Sequence, residues 1–410
     1  MRSTPLLRDL PREVAVLTSV SFCVALGFGI VAPVLPVFAR SFDVSATQAS
    51  AVIAIFALVR FIAAVPAGWL NDRLGERLVL AVGIGIVAAS SFLAGLSNSY
   101  VQLLALRGVG GFGSAMFTVS SLALLLRVTE PNQRGRAAGA FQGGFLLGGI
   151  TGPAIGGLVV AWSIRAPFFV YAATLSVAVV VVVTLLARVQ LSDHPESETP
   201  EAVTSPETGW QSLRRALRSR PYVTALAVNL GNGFVAFGLR AALVPLFVTE
   251  ALRYGPTWVG FGFLVAAGIQ GLLLLPAGRV ADTRGRRTAL VIGTAAVTTG
   301  MLVLAFVENI VGFFVTMAVL GFGSAFLGSA PAAVVGDVVG EGRRGTIVAA
   351  FQMTSDLGAI AGPLTAGLIY DSTGSFTLAF LTGAFVSMIG FALAITMPET
   401  AKPAEVEADK

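Results

Sequence analysis

One pattern constrains how this chain can fold: short motifs occur twice, at a spacing of 210 residues that recurs along much of the chain. Residues 111–115 read GFGSA, and residues 321–325 read GFGSA again. A repeat at a fixed offset indicates one structural unit that is present in two copies. The same offset relates Pro66-Ala67-Gly68 to Pro276-Ala277-Gly278, Asp72 to Asp282, Gly75 to Gly285, Ala140-Phe141-Gln142 to Ala350-Phe351-Gln352, and Gly152-Pro153 to Gly362-Pro363.

The composition places both copies in a membrane. Hydrophobic residues make up 55% of the chain and charged residues 12%, whereas roughly a quarter of a soluble protein is charged. The apolar runs are long enough for helices that cross about 30 Å of hydrocarbon, and they lack the alternation of barrel strands. The sequence therefore predicts an all-α polytopic membrane protein with twelve transmembrane helices in two pseudo-symmetric six-helix bundles. The predicted spans are about 14–38, 47–70, 78–98, 100–127, 137–160, 166–187, 222–248, 256–278, 288–308, 310–336, 346–370 and 376–397.

Positive charge is distributed unevenly along this pattern. Of the 27 Lys and Arg residues, 21 fall in the two tails and the even-numbered loops, and three fall in odd-numbered loops. Cytoplasmic loops carry such an excess of positive charge. We therefore expect a multi-pass protein of the plasma membrane with both termini in the cytoplasm. The net charge of +5 is then explained by the excess of Lys and Arg in cytoplasmic loops, and no nucleic-acid partner is expected.

The domain organisation follows from one long polar stretch. We predict an N-terminal bundle over 1–187, a cytoplasmic linker over 188–220, a C-terminal bundle over 221–398 and a cytoplasmic tail over 399–410. The end of the linker predicts a short basic amphipathic helix on the membrane surface; the alternative is a basic segment without preferred shape. That pattern consists of Trp210, Leu213 and Leu217 with Arg214, Arg215 and Arg218 between them.

Several enzyme classes are excluded by the motifs. Residues 108–113 match G-x-G-x-x-G, but they lie inside an apolar span, where the dinucleotide reading lacks its strand and aqueous loop. There is no Walker A motif, because the only lysines are Lys402 and Lys410, and the only histidine is His194 in the linker. We expect no enzymatic activity, no cofactor and no metal site.

Two short turns between predicted spans carry the same charged pattern. Residues 68–77 read GWLNDRLGER, and residues 278–287 read GRVADTRGRR. Glycine permits a tight turn, and the acid can pair with an arginine or face the positive end of a helix. Because such a contact can form in one conformation and break in another, we predict gating loops; the alternative is a generic charged turn. The predicted gating residues are Gly68, Asp72, Arg73, Gly75, Arg77, Gly278, Asp282, Gly285 and Arg286.

These turns resemble the signature of the major facilitator superfamily between its helices 2 and 3. Glu76 stands where that family usually has a basic residue, and Thr283 stands where it usually has arginine. Span 4 is also similar to a family motif through Arg107, Gly111 and Ala115. Span 5 matches in full the pattern G-x8-G-x3-G-P-x2-G-G, which marks the exporters and above all the drug:proton antiporters. Its residues are Gly139, Gly148, Gly152, Pro153, Gly156 and Gly157.

The chemistry of span 5 is consistent with that resemblance. Pro153 removes a backbone donor and opens a kink, and the glycines let another helix approach closely. A smooth, kinked helix suits a protein that works by alternating access; the alternative is glycine-rich packing without such a role.

Four charged residues lie inside the predicted spans, namely Arg60, Arg107, Arg240 and Asp356. Such residues are functional candidates by default because their burial in hydrocarbon is costly. Arginine cannot release a proton in a protein, so Asp356 is the leading proton carrier. The resemblance implies that helices 2 and 11 meet, so we expect Arg60 to pair with Asp356 in one state. The alternative is a static ion pair.

Two polar stripes predict a substrate cavity, because the resemblance implies that helices 4 and 7 line one. The alternative is hydrogen bonding between helices without substrate. With three arginines and one carboxylate at the centre, we expect neutral or anionic substrates to be preferred. The stripes comprise Arg107, Ser114, Thr118 and Ser121 on span 4, and Asn229, Asn232 and Arg240 on span 7.

The sequence thus favours a proton-coupled exporter of small amphiphilic compounds or drugs, whose partners are protons, a small-molecule substrate and the lipid bilayer. We expect it to act as a monomer. One alternative is a proton-independent facilitator or importer of a metabolite in the same fold. The other is a membrane sensor or scaffold that does not transport.

Overall fold

The computed structural model describes residues 10–130, 133–186, 209–339 and 345–400. The predicted linker up to residue 208 and the predicted tail beyond residue 400 lie outside these ranges. The described residues form helices and turns, without a strand among them.

The first half of the chain contains seven α-helices. Their bounds are α1 Arg12–Val31, α2 Leu35–Arg40, α3 Ala46–Leu74, α4 Glu76–Gly95, α5 Tyr100–Val128, α6 Arg134–Val159 and α7 Ala166–Val181, and a π-helical segment, Val182–Leu186, continues α7. Local sequence sets several helix starts: Ser45 and Gln48 form a reciprocal capping box at α3, and Ser99 accepts from the Gln102 N–H at α5. These side chains satisfy backbone donors that a helix start leaves unpaired.

The second half is less regular in its first membrane-spanning segment. This part contains α8 Gly209–Ala216, α9 Arg220–Asn232, α10 Arg240–Leu246, α11 Pro256–Thr283, α12 Arg286–Leu304, α13 Ile310–Leu327, α14 Ala330–Val339, α15 Gly345–Thr373 and α16 Phe376–Thr396. Two π-helical segments, Gly233–Leu239 and Phe247–Ala251, flank α10. Helix α8 lies within the segment for which a short amphipathic helix is predicted.

Eleven helical stretches of the described residues are long and apolar enough to cross a membrane. The fifth predicted span corresponds to α6, a 26-residue helix that is not among the eleven. Its many glycines add little hydrophobicity to its length. The predicted fold class, an all-helical polytopic membrane protein, is confirmed by this arrangement.

The chain divides into two compact units. The first comprises Met1–Ser205 together with Val248–Leu264, and the second comprises Pro206–Phe247 together with Val265–Lys410. Within the first unit, a cluster of buried hydrophobic residues packs α3 against α4 and α5; it consists of Ala63, Ala67, Val79, Ala115 and Met116.

Equivalent turns in the two halves adopt the same unusual backbone conformation. Two non-glycine residues of the described ranges have a positive φ, Asp43 (56°) and Arg253 (59°), and they lie 210 positions apart in the sequence. Gly75 (82°) and Gly285 (101°) are related in the same way. Arg40 and Glu250 also share this spacing, and within the first unit they form an ion pair with an Nε to Oε1 distance of 2.8 Å. The sequence repeat is therefore a repeat of local structure.

The π-helical segments shift that repeat within one pair of helices. An added Cβ at Gly148 would lie 2.3 Å from the carbonyl oxygen of Phe22. Gly358 lies 210 residues after Gly148, but its equivalent contact is with the carbonyl oxygen of Leu230, which lies only 208 residues after Phe22. The spacing is 210 again at Arg253, which is the counterpart of Asp43 in the second half. A π-bulge accommodates one extra residue in a helix, so the two π segments account for the two residues by which this part of the second half is longer.

Candidate functional site

The glycines of the span 5 motif bring α6 into backbone contact with α1. A Cβ added at Gly148 would lie 2.3 Å from the carbonyl oxygen of Phe22, and one at Gly152 would lie 2.5 Å from that of Leu26. At Gly156 the same distance to the carbonyl oxygen of Ile30 is 2.5 Å. No side chain larger than hydrogen fits at these positions without separating the two helices.

The other residues of this motif lie in different surroundings. Pro153 packs its ring against Gly29 of α1. Gly157 faces Gly260, at the start of α11 and within the same compact unit. An added Cβ at Gly139 would meet nothing within 4 Å. Helix α6 therefore uses one glycine face for α1 and a further glycine for α11, and Gly139 takes no part in either contact.

Helix α15 repeats this contact in the second unit. Added Cβ atoms at Gly358 and Gly362 would lie 2.2 Å from the carbonyl oxygen of Leu230 and 2.4 Å from that of Phe234. Asp356, the predicted proton carrier, lies on this part of α15 and is half-buried. The preceding residue, Ser355, has its carbonyl oxygen 2.1 Å from where a Cβ at Gly233 would stand. The carboxylate is thus carried by a turn of helix that packs tightly against the start of a π segment.

The first predicted gating turn joins α3 to α4 at Gly75. Asp72 is exposed and has no hydrogen-bond or ion-pair partner among the described residues. The guanidinium carbon of Arg73 lies 3.9 Å from the centroid of the Trp69 ring. Gly68 has open space where a Cβ would be, and Arg77 is half-buried.

Each gating turn is tied to a neighbouring helix by an ion pair, and the two pairs have opposite polarity. In the first unit, Arg127 near the end of α5 lies 3.0 Å from Glu76. In the second unit, Asp337 near the end of α14 lies 3.4 Å from Arg286. Each member of the first pair lies 210 residues before its counterpart. Glu76 is the residue at which this chain departs from the family signature. Where the second unit has Arg286 and Asp337, the first unit has Glu76 and Arg127, so both charges are reversed and an ion pair is kept.

The second turn carries additional contacts. Asp282, near the end of α11, pairs with Arg286 at the start of α12, and Gly278 has open space where a Cβ would be. The carboxylate of Glu399 accepts hydrogen bonds from the backbone N–H groups of Arg286 (2.7 Å) and Arg287 (3.2 Å). Glu399, which the sequence assigns to the tail, therefore caps the start of α12, where the helix dipole favours negative charge.

Arg107 is the most deeply buried of the charged residues in the spans. It is 3% exposed, and its guanidinium carbon lies 4.4 Å from the centroid of the Phe56 ring in α3. Its Nε has no hydrogen-bond partner among the described residues. A charge at the bilayer centre costs about 2.5–3.5 kcal/mol, and a desolvated cation–π contact returns about 2 kcal/mol. Phe56 therefore offsets only part of the cost of this burial.

The other members of the α5 stripe do not share one environment. Ser114 is half-buried and lines a small cavity beside Tyr171. Thr118 is exposed and donates a hydrogen bond to the carbonyl oxygen of Ser114. Ser121 is completely buried, with no hydrogen-bond partner for its Oγ among the described residues.

The stripe along α9 is interrupted by π-helix. Asn229 donates to the carbonyl oxygen of Phe351 at 2.7 Å, so it bonds α9 to α15. Asn232 borders a small cavity, and Arg240 begins α10 beyond the π segment and is half-buried, as is Arg60 on α3. The angle of 100° per residue assumed for this stripe applies to α-helix and does not hold over Gly233–Leu239.

The two small cavities lie at equivalent places in the two units. Three pairs of lining residues are 210 positions apart, namely Ile84 with Thr294, Val87 with Val297, and Phe117 with Leu327. Polar Asn232 and Ser387 also line the second cavity, whereas Ser114 and Tyr171 supply the polar groups of the first. The two cavities therefore lie at corresponding positions of the repeat, and apolar residues form most of the lining of each. In the described parts of the chain, no cluster of three or more His, Cys, Asp or Glu residues could hold a metal ion.

Comparison with known proteins identifies the family. The model of the Major Facilitator Superfamily matches residues 17–269 and 231–410. The chain belongs to the Major Facilitator Superfamily. It is a multi-pass membrane protein of this transporter family, and the family predicted from the turn motifs is confirmed.

Relatives and solved structures agree with this assignment. The chain is 25% identical to multidrug resistance protein 2 of Bacillus subtilis, over 94% of each protein. It is 26% identical to the quinolone resistance protein NorA of Staphylococcus aureus, over 64% of this chain and 65% of that protein. These relatives support the predicted drug:proton antiporter branch. A bacterial homologue of the human lysosomal transporter Spinster has the same fold, with a TM-score of 0.76 at 15% identity and coverage of 96% and 97%.

Sequence reasoning missed several residues that the structure brings into these sites. Phe56, which lies against the Arg107 guanidinium, and Tyr171, which lines the small cavity with Ser114, look like ordinary apolar and aromatic positions in a membrane helix. Arg127 looks like a charge at the end of a span, and Glu399 looks like a charge in the C-terminal tail. The 210-residue offset relates Glu76 to Arg286 and Arg127 to Asp337. The reversed ion pair could therefore have been predicted from the sequence.

Proposed function

We propose that this protein is a proton-coupled exporter of small amphiphilic compounds that works by alternating access. The observation that carries the proposal is Asp356: of the carboxylates on the described helices, it alone lies near the middle of a span. An acid at this depth can gain and lose a proton, whereas the arginines of the spans cannot. The complete span 5 motif and the relatives named for drug resistance support the direction of transport.

The driving force is sufficient for concentrative export. One proton that moves inward yields about 2.3 kcal/mol per 100 mV of membrane potential. At about 1.4 kcal/mol for each factor of ten, this sustains a gradient of roughly fifty-fold for a neutral substrate.

The proposed gating turns carry the conformational change. The Glu76–Arg127 and Arg286–Asp337 pairs hold each turn against a neighbouring helix of its own unit. Substrate contacts are proposed for Arg107 and Ser114 in the first unit, and for Asn232 and Arg240 in the second. With three arginines and one acid in the spans, neutral or anionic compounds are expected to be preferred over cations.

The test is proton-driven uptake of a fluorescent amphiphile into inverted membrane vesicles. Asp356→Asn should abolish uptake that depends on the proton gradient and keep substrate exchange without a gradient. Asp371→Asn, an exposed position near the end of the same helix, serves as the matched control and should transport normally. Unchanged gradient-driven uptake by Asp356→Asn would reject the coupling role.

Two other functions give different outcomes in the same vesicles. A facilitator or importer keeps its transport rate when a protonophore collapses the gradient. A sensor or scaffold moves no compound of a broad panel under either condition.

A further inference from the structure

Arg107 is a buried cation whose surroundings contain no compensating acid. Its side chain is 3% exposed, and no carboxylate of the described residues forms an ion pair or hydrogen bond with it. Its Nε is buried and has no hydrogen-bond acceptor among the described residues. A buried charge in a native structure is usually paired, and an unpaired donor is a site that calls for an explanation.

The groups around this guanidinium are aromatic. Phe56 lies beneath it at 4.4 Å, and Phe56 is in turn 6.4 Å from Phe28 of α1, measured between ring centroids. Tyr171 of α7 is close enough to interact electrostatically with Arg107, and it is 2% exposed. Tyr171 also lines a small, mainly apolar cavity together with Ser114 and Phe117. The site therefore combines one positive charge with a mainly aromatic and aliphatic wall.

This combination fits one class of ligand well. A guanidinium presents parallel N–H donors that match the two oxygens of a carboxylate. Phenyl and phenol rings accommodate an apolar or aromatic body next to that carboxylate. A cationic ligand would meet like charge, and a neutral one would leave the guanidinium without its acceptor.

We propose that Arg107 anchors the carboxylate of an amphiphilic substrate, whose apolar body lies against Phe56 and Tyr171. The proposal rests on the proposed export function and names the substrate class for it. Since Arg107 is almost fully enclosed, the site has to open in one state of the transport cycle. Its aromatic wall then discriminates little between bodies of different shape, while the arginine selects for the charged group.

The test compares two probes that differ only in that group, dansylglycine and its neutral amide, dansylglycinamide. Uptake of each into inverted vesicles gives its KM. The wild-type protein should take up the carboxylate with a KM at least tenfold lower than that of the amide. Arg107→Gln should raise the KM for the carboxylate by at least tenfold, which corresponds to about 1.4 kcal/mol, and leave that for the amide unchanged. Arg107→Lys keeps the charge and should restore part of the preference.

A matched control is Arg165→Gln. Arg165 also stands over a phenyl ring, that of Phe38 at 5.4 Å, and it donates to the carbonyl oxygen of Gly95. It lies at the start of α7 rather than inside a span, and its loss should not change the preference for carboxylate.

The outcomes separate this inference from the export function. If Arg107→Gln lowers uptake of both probes equally, or if the wild type shows no preference for dansylglycine, the anchoring role is wrong. It is also wrong if neither probe is taken up while another amphiphile still enters in a proton-dependent way. If no compound enters the vesicles under a proton gradient, the export function itself fails.

Discussion

The backbone contact between α1 and α6 makes a quantitative prediction for Gly152→Ala. The added methyl group would stand 2.5 Å from the carbonyl oxygen of Leu26, 2.8 Å from the Cα of Gly29 and 3.0 Å from its carbonyl carbon. All three are backbone atoms, so no side chain can rotate away. Relief requires α1 and α6 to separate by roughly 0.5–1 Å, and a gap of that size forfeits a quarter to a half of each dispersion contact.

Overpacking of this kind costs about 1–3 kcal/mol. At about 2–4 °C per kcal/mol for a unit of this size, the thermal midpoint of the purified protein should fall by roughly 2–12 °C. Because α6 carries the motif proposed to matter for transport, the rate of proton-driven uptake should fall as well.

Gly149→Ala is the matched control, one turn away on the same helix. An added Cβ there meets nothing within 4 Å, and alanine is the better helix former by up to about 1 kcal/mol. Its midpoint, followed by a thermal-shift measurement in detergent, should be unchanged or slightly higher. Equal midpoints for the two alanine variants would refute the claim that close backbone contact explains the glycine at residue 152.

Three further changes test the turns and a helix start. Glu76→Arg places two arginines opposite each other and should lower thermal stability and uptake. Adding Arg127→Asp restores an ion pair with the polarity of the second unit, and should recover about 0.2–1 kcal/mol of the free energy of unfolding, the usual value for exposed pairs. Additive losses from the two changes would argue against a direct pair. Gly75→Ala and Gly285→Ala both place alanine at a positive φ with an extended ψ, a region essentially restricted to glycine, at a cost of about 1–3 kcal/mol. The second variant also brings its new methyl group against the Glu399 carboxylate. It should therefore have the lower thermal midpoint, and equal midpoints would count against the Glu399 cap. Ser45→Ala removes one half of the capping box at α3 and should cost about 1 kcal/mol; hydrogen exchange at the Gln48 amide should then be faster, and unchanged exchange would contradict the capping role.

Much of the fold could be predicted from the sequence because its signals are local. Apolar runs of sufficient length specify membrane helices through hydrophobicity alone. Likewise, glycine at residues 75 and 285 marks turns with positive φ, because other residues rarely adopt that conformation. The family followed from the same kind of signal, since its motifs lie in short continuous segments.

The sites depend on packing between segments that are distant in sequence. Nothing in the sequence places Tyr171 and Phe56 beside Arg107, since the three residues come from three different helices. The π segments are equally hidden, because a one-residue insertion changes neither the composition nor the apolar character of the span. They nevertheless alter the faces on which Asn229, Asn232 and Arg240 lie.

By itself, the sequence determined that two copies of one helical unit cross a membrane, and which residues in the spans are charged. Tertiary structure alone decided how deeply each of those charges is buried, which glycines contact another backbone and which have open space around them, and where the repeat shifts by two residues. The physical reason is that hydrophobic length and turn chemistry act within a few residues. Burial, close approach and ion pairing depend on neighbours that only the packed helices supply.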